Sequence, residues 1–310
     1  MSEAYQAILR VESDTIAPMA RITVPAAEDL IDQELPVLDK GFVRLVDYLG
    51  GDQRIVQSAR VSYGAGTKTF RQDRGLIHYL LRNEHTSPFE QVVLTFHTKM
   101  PIFVARQWVR HRTARLNEIS GRYSIMKEEF YVPEADSMRE QSTDNKQARG
   151  EAGLPAEATG QMIEEMRNDQ AALYKHYEGM VEQGLAREIA RVNLPLSLYT
   201  EWYWQIDLHN LFHFLKLRMD SHAQYEIREY ANAMAKCAQA VAPLAYEAFE
   251  EHVKESIRFS RTELIALRRM LGGGESELSG RAKAIFEQKL EMLNSLAEIE
   301  EPEEPTPPKS

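Results

Sequence analysis

From Gln91 to Lys99 the side chains Val92, Leu94 and Phe96 alternate with Val93, Thr95 and His97, the two-residue period of a strand with one face buried. Leu198–Ile206 is equally rich in aromatic and β-branched residues, so the two segments are expected in one sheet. Around them the period becomes helical: from about Thr69 to Arg82, over Pro101–Val109, from a cap at Asp207 through Met219, and over His222–Ala242, where Pro243 stops the run. An apolar stretch at Phe42–Leu49 precedes them. Strands and helices do not alternate regularly. That predicts an α+β fold, an antiparallel-type sheet flanked by helices with additional C-terminal helices, and excludes a doubly wound sheet.

The proportions of hydrophobic (43%) and charged (27%) residues over 310 positions rule out a disordered or fibrous chain. A net charge of −10 repels polymeric phosphate and anionic membranes, so any anion has to be bound locally. Cys237 stands alone and cannot form an internal disulfide, no signal-like leader is evident, and no apolar run approaches the roughly 20 residues of a membrane span, so a cytoplasmic protein is expected. Glu134–Gly160 loses the apolar period of its flanks and reads as a surface insertion in a main domain over 1–256. The Gly272-Gly273-Gly274 run separates two helix-patterned segments of a C-terminal extension over 257–297, and the Glu- and Pro-rich tail, 298–310, is expected to be disordered.

The segment Arg106–Tyr123 holds five arginines and a histidine against one acid. Guanidinium groups present paired planar donors that match phosphate and stay charged at working pH, so a small phosphorylated ligand suits this stretch. The Ser120-Gly121-Arg122 turn adds a hydroxyl and backbone donors where glycine admits close approach. The plain alternative is a solvated basic face paired with the excess acids. Neither Gly-x-Gly-x-x-Gly nor Gly-x4-Gly-Lys-Ser/Thr occurs, and Ser62–Lys68 fits neither, so a nucleotide is not held in a Rossmann or P-loop manner.

Arg110-His111-Arg112 followed by Ser120, within the run to Asn117-Glu118-Ile119-Ser120-Gly121-Arg122-Tyr123, resembles the signature of the flavin-dependent thymidylate synthases. Further similarity lies in Ala59–Tyr63, Glu84–Glu90, Ala190–Pro195, Asp207–Leu211 and Leu217–Gln224, so that the resemblance covers roughly residues 40 to 250. It implies methylation of dUMP at C5 with the methylene of 5,10-methylenetetrahydrofolate, and a hydride from FAD reduced by NADPH. It also implies a homotetramer with shared active sites, and no nucleic-acid or membrane partner. Carried over by position, Gln107, Arg110, Glu118, Ser120, Gly121, Arg122 and Arg191 contact dUMP. Arg218 faces the uracil, where a fixed cation stabilises the N3-deprotonated ring and enriches C5; this is the catalytic assignment. For FAD the resemblance points to His85, Ser87, Arg110, His111, Arg112 and Glu118, and to Asp207, His209 and His213, where the family varies.

Each assignment has a competitor in the residues themselves. Arg218 and Asp207 share a helix side and could form an ion pair. Ser120 has no Asp–His pair placed to activate it, so it reads as a ligand rather than a nucleophile. Cys237, among small residues in a helix pattern, reads as packing and not as the thiolate that thymidylate synthases without flavin require. His209 and His213 have the i,i+4 spacing of a metal pair, with His222 or Asp220 as a third ligand, although no metal site is expected. Trp108 could stack on a base in a nucleic-acid-binding module. Trp202, Tyr203 and Trp204 read as core and sheet-pairing residues, Ser221, His222 and Gln224 lie near Arg218, and Ser62 and Tyr63 border the substrate entrance by resemblance.

Overall fold

The two strand-patterned segments are direct neighbours. The computed structural model describes residues 22–61, 70–143 and 149–296, so Ser62, Tyr63 and the tail over 298–310 lie outside the described residues. Its strands are β1 (Glu34–Val37), β2 (Gly41–Leu49), β3 (Val93–Pro101), β4 (Ala114–Glu118), β5 (Arg139–Gln141), β6 (Arg149–Gly153) and β7 (Tyr199–Asp207). Five form a sheet in the order β1-β2-β3-β7-β4 with every neighbouring pair antiparallel, and β5 pairs with β6 separately. The β3–β7 ladder runs without a break from Val93 opposite Asp207 to Pro101 opposite Tyr199. An α+β fold around an antiparallel sheet is what the chain adopts.

Helices α1 (Pro25–Glu28), α2 (Asp52–Ala59), α3 (Phe70–Arg82), α4 (Ile102–Trp108), α5 (Ala156–Glu182), α6 (Arg187–Ala190), α7 (Leu208–Arg218), α8 (Tyr225–Val241) and α9 (Pro243–Phe249) belong to the unit that ends at Val253. The alternation read in the sequence sorts the sheet's two faces. Leu94, Phe96, Trp202, Trp204 and Ile206 are buried with the apolar stripes of α7 and α8, whereas His97 stacks on Tyr203 across the other face at 4.8 Å. Trp108, fully buried, packs edge-on to Trp202 and Trp204 at 5.4 Å and against Phe214 at 5.1 Å, joining α4, the sheet and α7. A base-stacking role for Trp108 is therefore ruled out. Gly41 is required here, because a Cβ would lie 2.0 Å from the Tyr230 hydroxyl, which donates to Lys99 O.

Two sequence expectations need correction. The helix expected from His222 starts at Tyr225, because Asp220 Oδ1 accepts from His222 N at 2.8 Å and holds a turn ahead of it. The same helix ends where expected, at Val241 before Pro243: Ala242 bends the chain at φ −142°, and Pro243 occupies the first position of the next helix, α9. Part of the expected surface insertion is the start of the long helix α5, and part is the β5–β6 hairpin, whose Arg149 reaches the buried Glu226.

The unit beginning at Lys254 contains α10 (Arg261–Leu271) and α11 (Gly280–Leu296). Ser260 and Glu263 form a reciprocal capping box, Glu263 also pairs with Lys289 at 2.7 Å, and Phe259 meets Phe286 edge-on at 6.1 Å. Gly273, at φ +82°, turns the chain out of α10. Among the described residues no helix is long and apolar enough to cross a membrane.

Asp52 binds the two ends of the larger unit's sequence. Its carboxylate accepts from Leu244 N at 2.8 Å and Ala245 N at 2.9 Å, capping α9 from another part of the chain. Burial raises its pKa from 3.8 to about 6, against the two backbone donors that lower it. The folded carboxyl thus holds its proton more tightly than the unfolded one, and the stability this contributes is full below about 4 and lost as pH rises through about 6. Asp52→Asn is expected to flatten the dependence of Tm on pH between about 4 and 6 relative to the parent, measured by thermal melts across that range.

Candidate active site

Helix α4 begins at Pro101, whose fixed φ and missing N–H suit a helix start, and it ends in the arginine-rich segment. Helix α7 begins at Asp207, whose Oδ1 accepts from Asn210 N at 2.9 Å, and carries Arg218 in its last turn. The two helices bring their C-terminal ends together. Arg218 Nε donates to His111 Nε2 at 3.0 Å, and a terminal nitrogen of the same guanidinium donates to Gln107 O at 3.4 Å. A cation beside exposed helix carbonyls is favourably placed. Two of the five N–H donors of Arg218 are thereby used, and the rest can meet a ligand.

The contact fixes the state of His111. Burial first, then the Arg218 charge and His213, lower its pKa from 6.5 to about 4, so the ring is neutral near pH 7. Because Nε2 accepts from Arg218, the ring proton resides on Nδ1. Burial also lowers the Arg218 pKa, yet a guanidinium remains charged. The result is a fixed, half-buried cation beside the neutral ring of His111; His213 lies 6.0 Å from His111 between ring centres.

A polar chain extends from this point into the protein. Gln107 Nε2 donates to Gln224 Oε1, Gln224 Nε2 donates to Glu226 Oε2 at 2.8 Å, and Glu226 Oε1 accepts from Tyr131 Oη at 3.0 Å and from Arg149. Glu226 is only 1% exposed, so its charge depends on these partners. Burial and the Glu226 carboxylate raise the Tyr131 pKa and keep the phenol a donor. Sequence reasoning missed Tyr131, Arg149 and Glu226 and mentioned Gln224 only as a neighbour. The signal was present: Glu226 precedes Tyr230, Met234 and Cys237 at the spacing of the buried stripe of α8.

The second group of expected residues gathers around a turn. Ser120 O accepts from Tyr123 N at 3.0 Å, and Ser120 Oγ accepts from Arg122 N at 3.3 Å. A Cβ on Gly121 would lie 2.9 Å from Met126 Sδ and 3.1 Å from Arg191 Cδ, so the absent side chain is what lets Arg191 lie across the turn. Arg122 is exposed and pairs with the equally exposed Glu188 at 3.3 Å, a contact worth little. Glu118 Oε1 accepts from the buried Thr200 Oγ1 at 2.6 Å.

The side chains of Arg106, Arg110, Arg112 and Arg115 are exposed, and none forms an ion pair among the described residues. The basic face is thus solvated but not tied to the excess acids. His85 and Ser87 are exposed in the loop after α3, with His85 6.0 Å from Tyr79 between ring centres. Among the described residues no hydrogen bond, ion pair or ring contact joins that loop, the Ser120–Arg191 group and the Arg218 group to one another.

Two competing readings fail on geometry. Asp207 and Arg218 lie at opposite ends of α7, about 16 Å apart along the axis, and both Asp207 oxygens are taken by Asn210, so their ion pair does not form. His222 Nδ1 pairs with Asp220 at 2.8 Å, and neither joins His209 and His213 in a group able to hold an ion. Cys237 is 1% exposed in α8, and burial pushes its thiol up to about 12.

The native thiol is expected to resist a water-soluble disulfide reagent at pH 8 and to react fully only on unfolding, measured by the absorbance of the released thiolate. Arg149→Ala is expected to cost about 2 kcal/mol by leaving a buried carboxylate short of its cation, which thermal melts would show as a Tm lower by several degrees.

The chain matches the family model described as thymidylate synthase complementing protein over residues 44–244 and that of the thymidylate synthase ThyX C-terminal domain over residues 257–296. It is 60% identical over 260 residues to the flavin-dependent thymidylate synthase of Treponema denticola, covering 84% of this chain and 98% of that one. To the enzyme of the same name from Treponema pallidum it is 56% identical over 272 residues, covering 88% and 89%. Among solved structures, the UMP/dUMP methylase PolB from Streptomyces cacaoi bound with 5-Br UMP matches with a TM-score of 0.64 at 32% identity, over 71% of this chain and 98% of that one.

Proposed function

The chain belongs to the flavin-dependent thymidylate synthases, and from that premise we propose that it methylates dUMP to dTMP, with 5,10-methylenetetrahydrofolate as one-carbon donor and NADPH as reductant of bound FAD. The observation that carries this reading is Arg218, a fixed cation held by neutral His111 and the Gln107 carbonyl with donors to spare. Its guanidinium faces the uracil and stabilises the N3-deprotonated ring, whose proton passes to solvent water, and this raises electron density at C5. Gln107, itself fixed by Gln224, contacts the base. The nucleotide phosphate and sugar occupy the turn of Ser120, Gly121 and Arg122 with Arg191 and Arg110, and Glu118 borders them.

Arginines already paired with carboxylates would have few donors left for a diphosphate, so the exposed Arg110 and Arg112, which form no ion pair among the described residues, fit that part of FAD. When bound, the flavin supplies the hydride that completes the methyl group. His111, His209 and His213 line the ring system, Glu118 and Asp207 border it, and His85 and Ser87 come from the loop after α3. The enzyme works as a homotetramer whose subunits share active sites. The buried thiol of Cys237 supports a reaction without a cysteine nucleophile, because a thiol held protonated does not attack C6. We place the enzyme in the cytoplasm, where reduced folate and NADPH are made.

Purified protein is expected to be yellow, and anaerobic NADPH to bleach its visible band. Arg218→Ala is expected to keep the flavin and lose about a hundredfold or more of dTMP formation, whereas Cys237→Ala keeps activity within about twofold of the parent. Product is read by chromatography with dUMP and, in parallel, UMP. A colourless protein that takes up neither FAD nor dUMP would overturn the reading.

A further inference from the structure

Among the described residues, one group of histidine and acidic side chains is gathered closely enough to hold a metal ion, and it is not the pair on α7. It consists of His78 on α3 with Glu251 and His252 in the turn that follows α9, their ligand atoms lying within 4.8 Å of one another. His78 Nδ1 faces His252 Nε2 at 3.0 Å and Glu251 Oε2 at 3.5 Å. Two ligand atoms on one tetrahedral zinc, each about 2.0–2.1 Å from it, stand about 3.3 Å apart. The two separations bracket that value. The imidazole rings meet nearly at right angles, 87° between planes, edge to face instead of stacked, and bring a nitrogen of each ring to 3.0 Å from the other.

The surroundings supply what such a site requires. A metal-bound histidine normally donates its other ring N–H to a carboxylate, which fixes the tautomer. His78 Nε2 is buried without a well-directed hydrogen bond and lies 3.3 Å from Glu247 Oε1. Arg74, one turn earlier on α3, holds Glu247 through its Nε at 2.8 and 3.1 Å. The order Arg74, Glu247, His78 therefore leads to the point between the two rings, where His78 Nδ1 and His252 Nε2 share a hydrogen bond that a bound ion would replace. Glu250–Lys254 is a single π-helical turn, a distortion frequent at functional sites, and it carries both Glu251 and His252. His78 and His252 are each 15% exposed and Glu251 is 62% exposed, so two ligands are shielded while the third opens to solvent.

We infer that His78, His252 and Glu251 bind one divalent transition-metal ion of the zinc class, with Glu247 orienting His78 and water at the fourth position. The ion ties α3 to the turn after α9. This inference does not depend on the nucleotide reaction, and its test reads metal and not turnover.

Untagged flavoprotein is stripped with a chelator, dialysed against zinc, and assayed for bound metal and for Tm. About one zinc per chain is expected, with Tm rising as zinc is added. His78→Gln and His252→Gln are expected to weaken binding at least tenfold and to remove the zinc-dependent rise. Glu247→Gln is expected to weaken binding about tenfold. His252→Cys, which keeps a zinc ligand, retains it and so separates loss of a ligand from loss of the fold. Absence of stoichiometric zinc, binding undiminished in both glutamine variants, or binding lost in His209→Gln/His213→Gln but kept in His252→Gln would each overturn the inference.

Discussion

Everything at the Arg218 site depends on the unbroken ladder between β3 and β7. Its ends lie eight residue steps apart, about 27 Å at the usual rise of an antiparallel strand. Helix α4 leaves from the Pro101 end and α7 from the Asp207 end, so they run toward each other over one face of the sheet. Their lengths, about 10 Å and 16 Å, add up to the ladder's own length. The C-termini consequently meet, and the residues at the junction are Gln107, His111 and Arg218. A bulge within this ladder would shift one helix start relative to the other and separate the guanidinium from its partners. Between β2 and β3 the register shifts at Leu45/Asp47, opposite Phe96 and Thr95, but the extra residue lies on β2 and the β3–β7 pairing stays continuous.

The aromatic cluster beneath the junction makes the arrangement stiff. Trp108 touches two tryptophans of β7 and Phe214 of α7, so the last turn of α4 cannot rotate without disturbing a packed core. Above it, Gln107 is held by the chain of amides that ends at Glu226 and Arg149. A buried carboxylate is costly unless paired, and its partner here comes from the β5–β6 hairpin. The hairpin segment, which composition alone marks as surface, thereby contributes to the rigidity of Gln107.

What the sequence disclosed and what it concealed follow from the range of the interactions. The alternation in β3 and β7 and the stripe of α7 are local periods, and all three elements lie within two residues of where those periods place them. The cap at Asp207 is likewise local and is present. Contacts between distant segments carried no such mark. Arg218 and Asp207 fall on one side of a helix, but angular position says nothing of axial distance, and they stand at opposite ends of α7. Trp108 looked available for stacking because it sits among arginines, whereas its own helical face points to the sheet. The histidine pair at i,i+4 drew attention over His78 and His252, which lie far apart in sequence and meet only through the packing of α3 beside α9.

The order of the strands also governs how the chain can be made. β3 finds β2 early, but its other edge belongs to β7, about a hundred residues later. At ribosomal rates of about 5–20 residues per second, that edge and the apolar side of Leu94 and Phe96 stay uncovered for roughly 5–20 s during synthesis. An uncovered central strand is a template for pairing with another nascent chain. Newly made protein is thus most vulnerable to misassembly on polysomes, before β7 emerges, and a slower translation of the intervening segment would lengthen the hazard instead of relieving it.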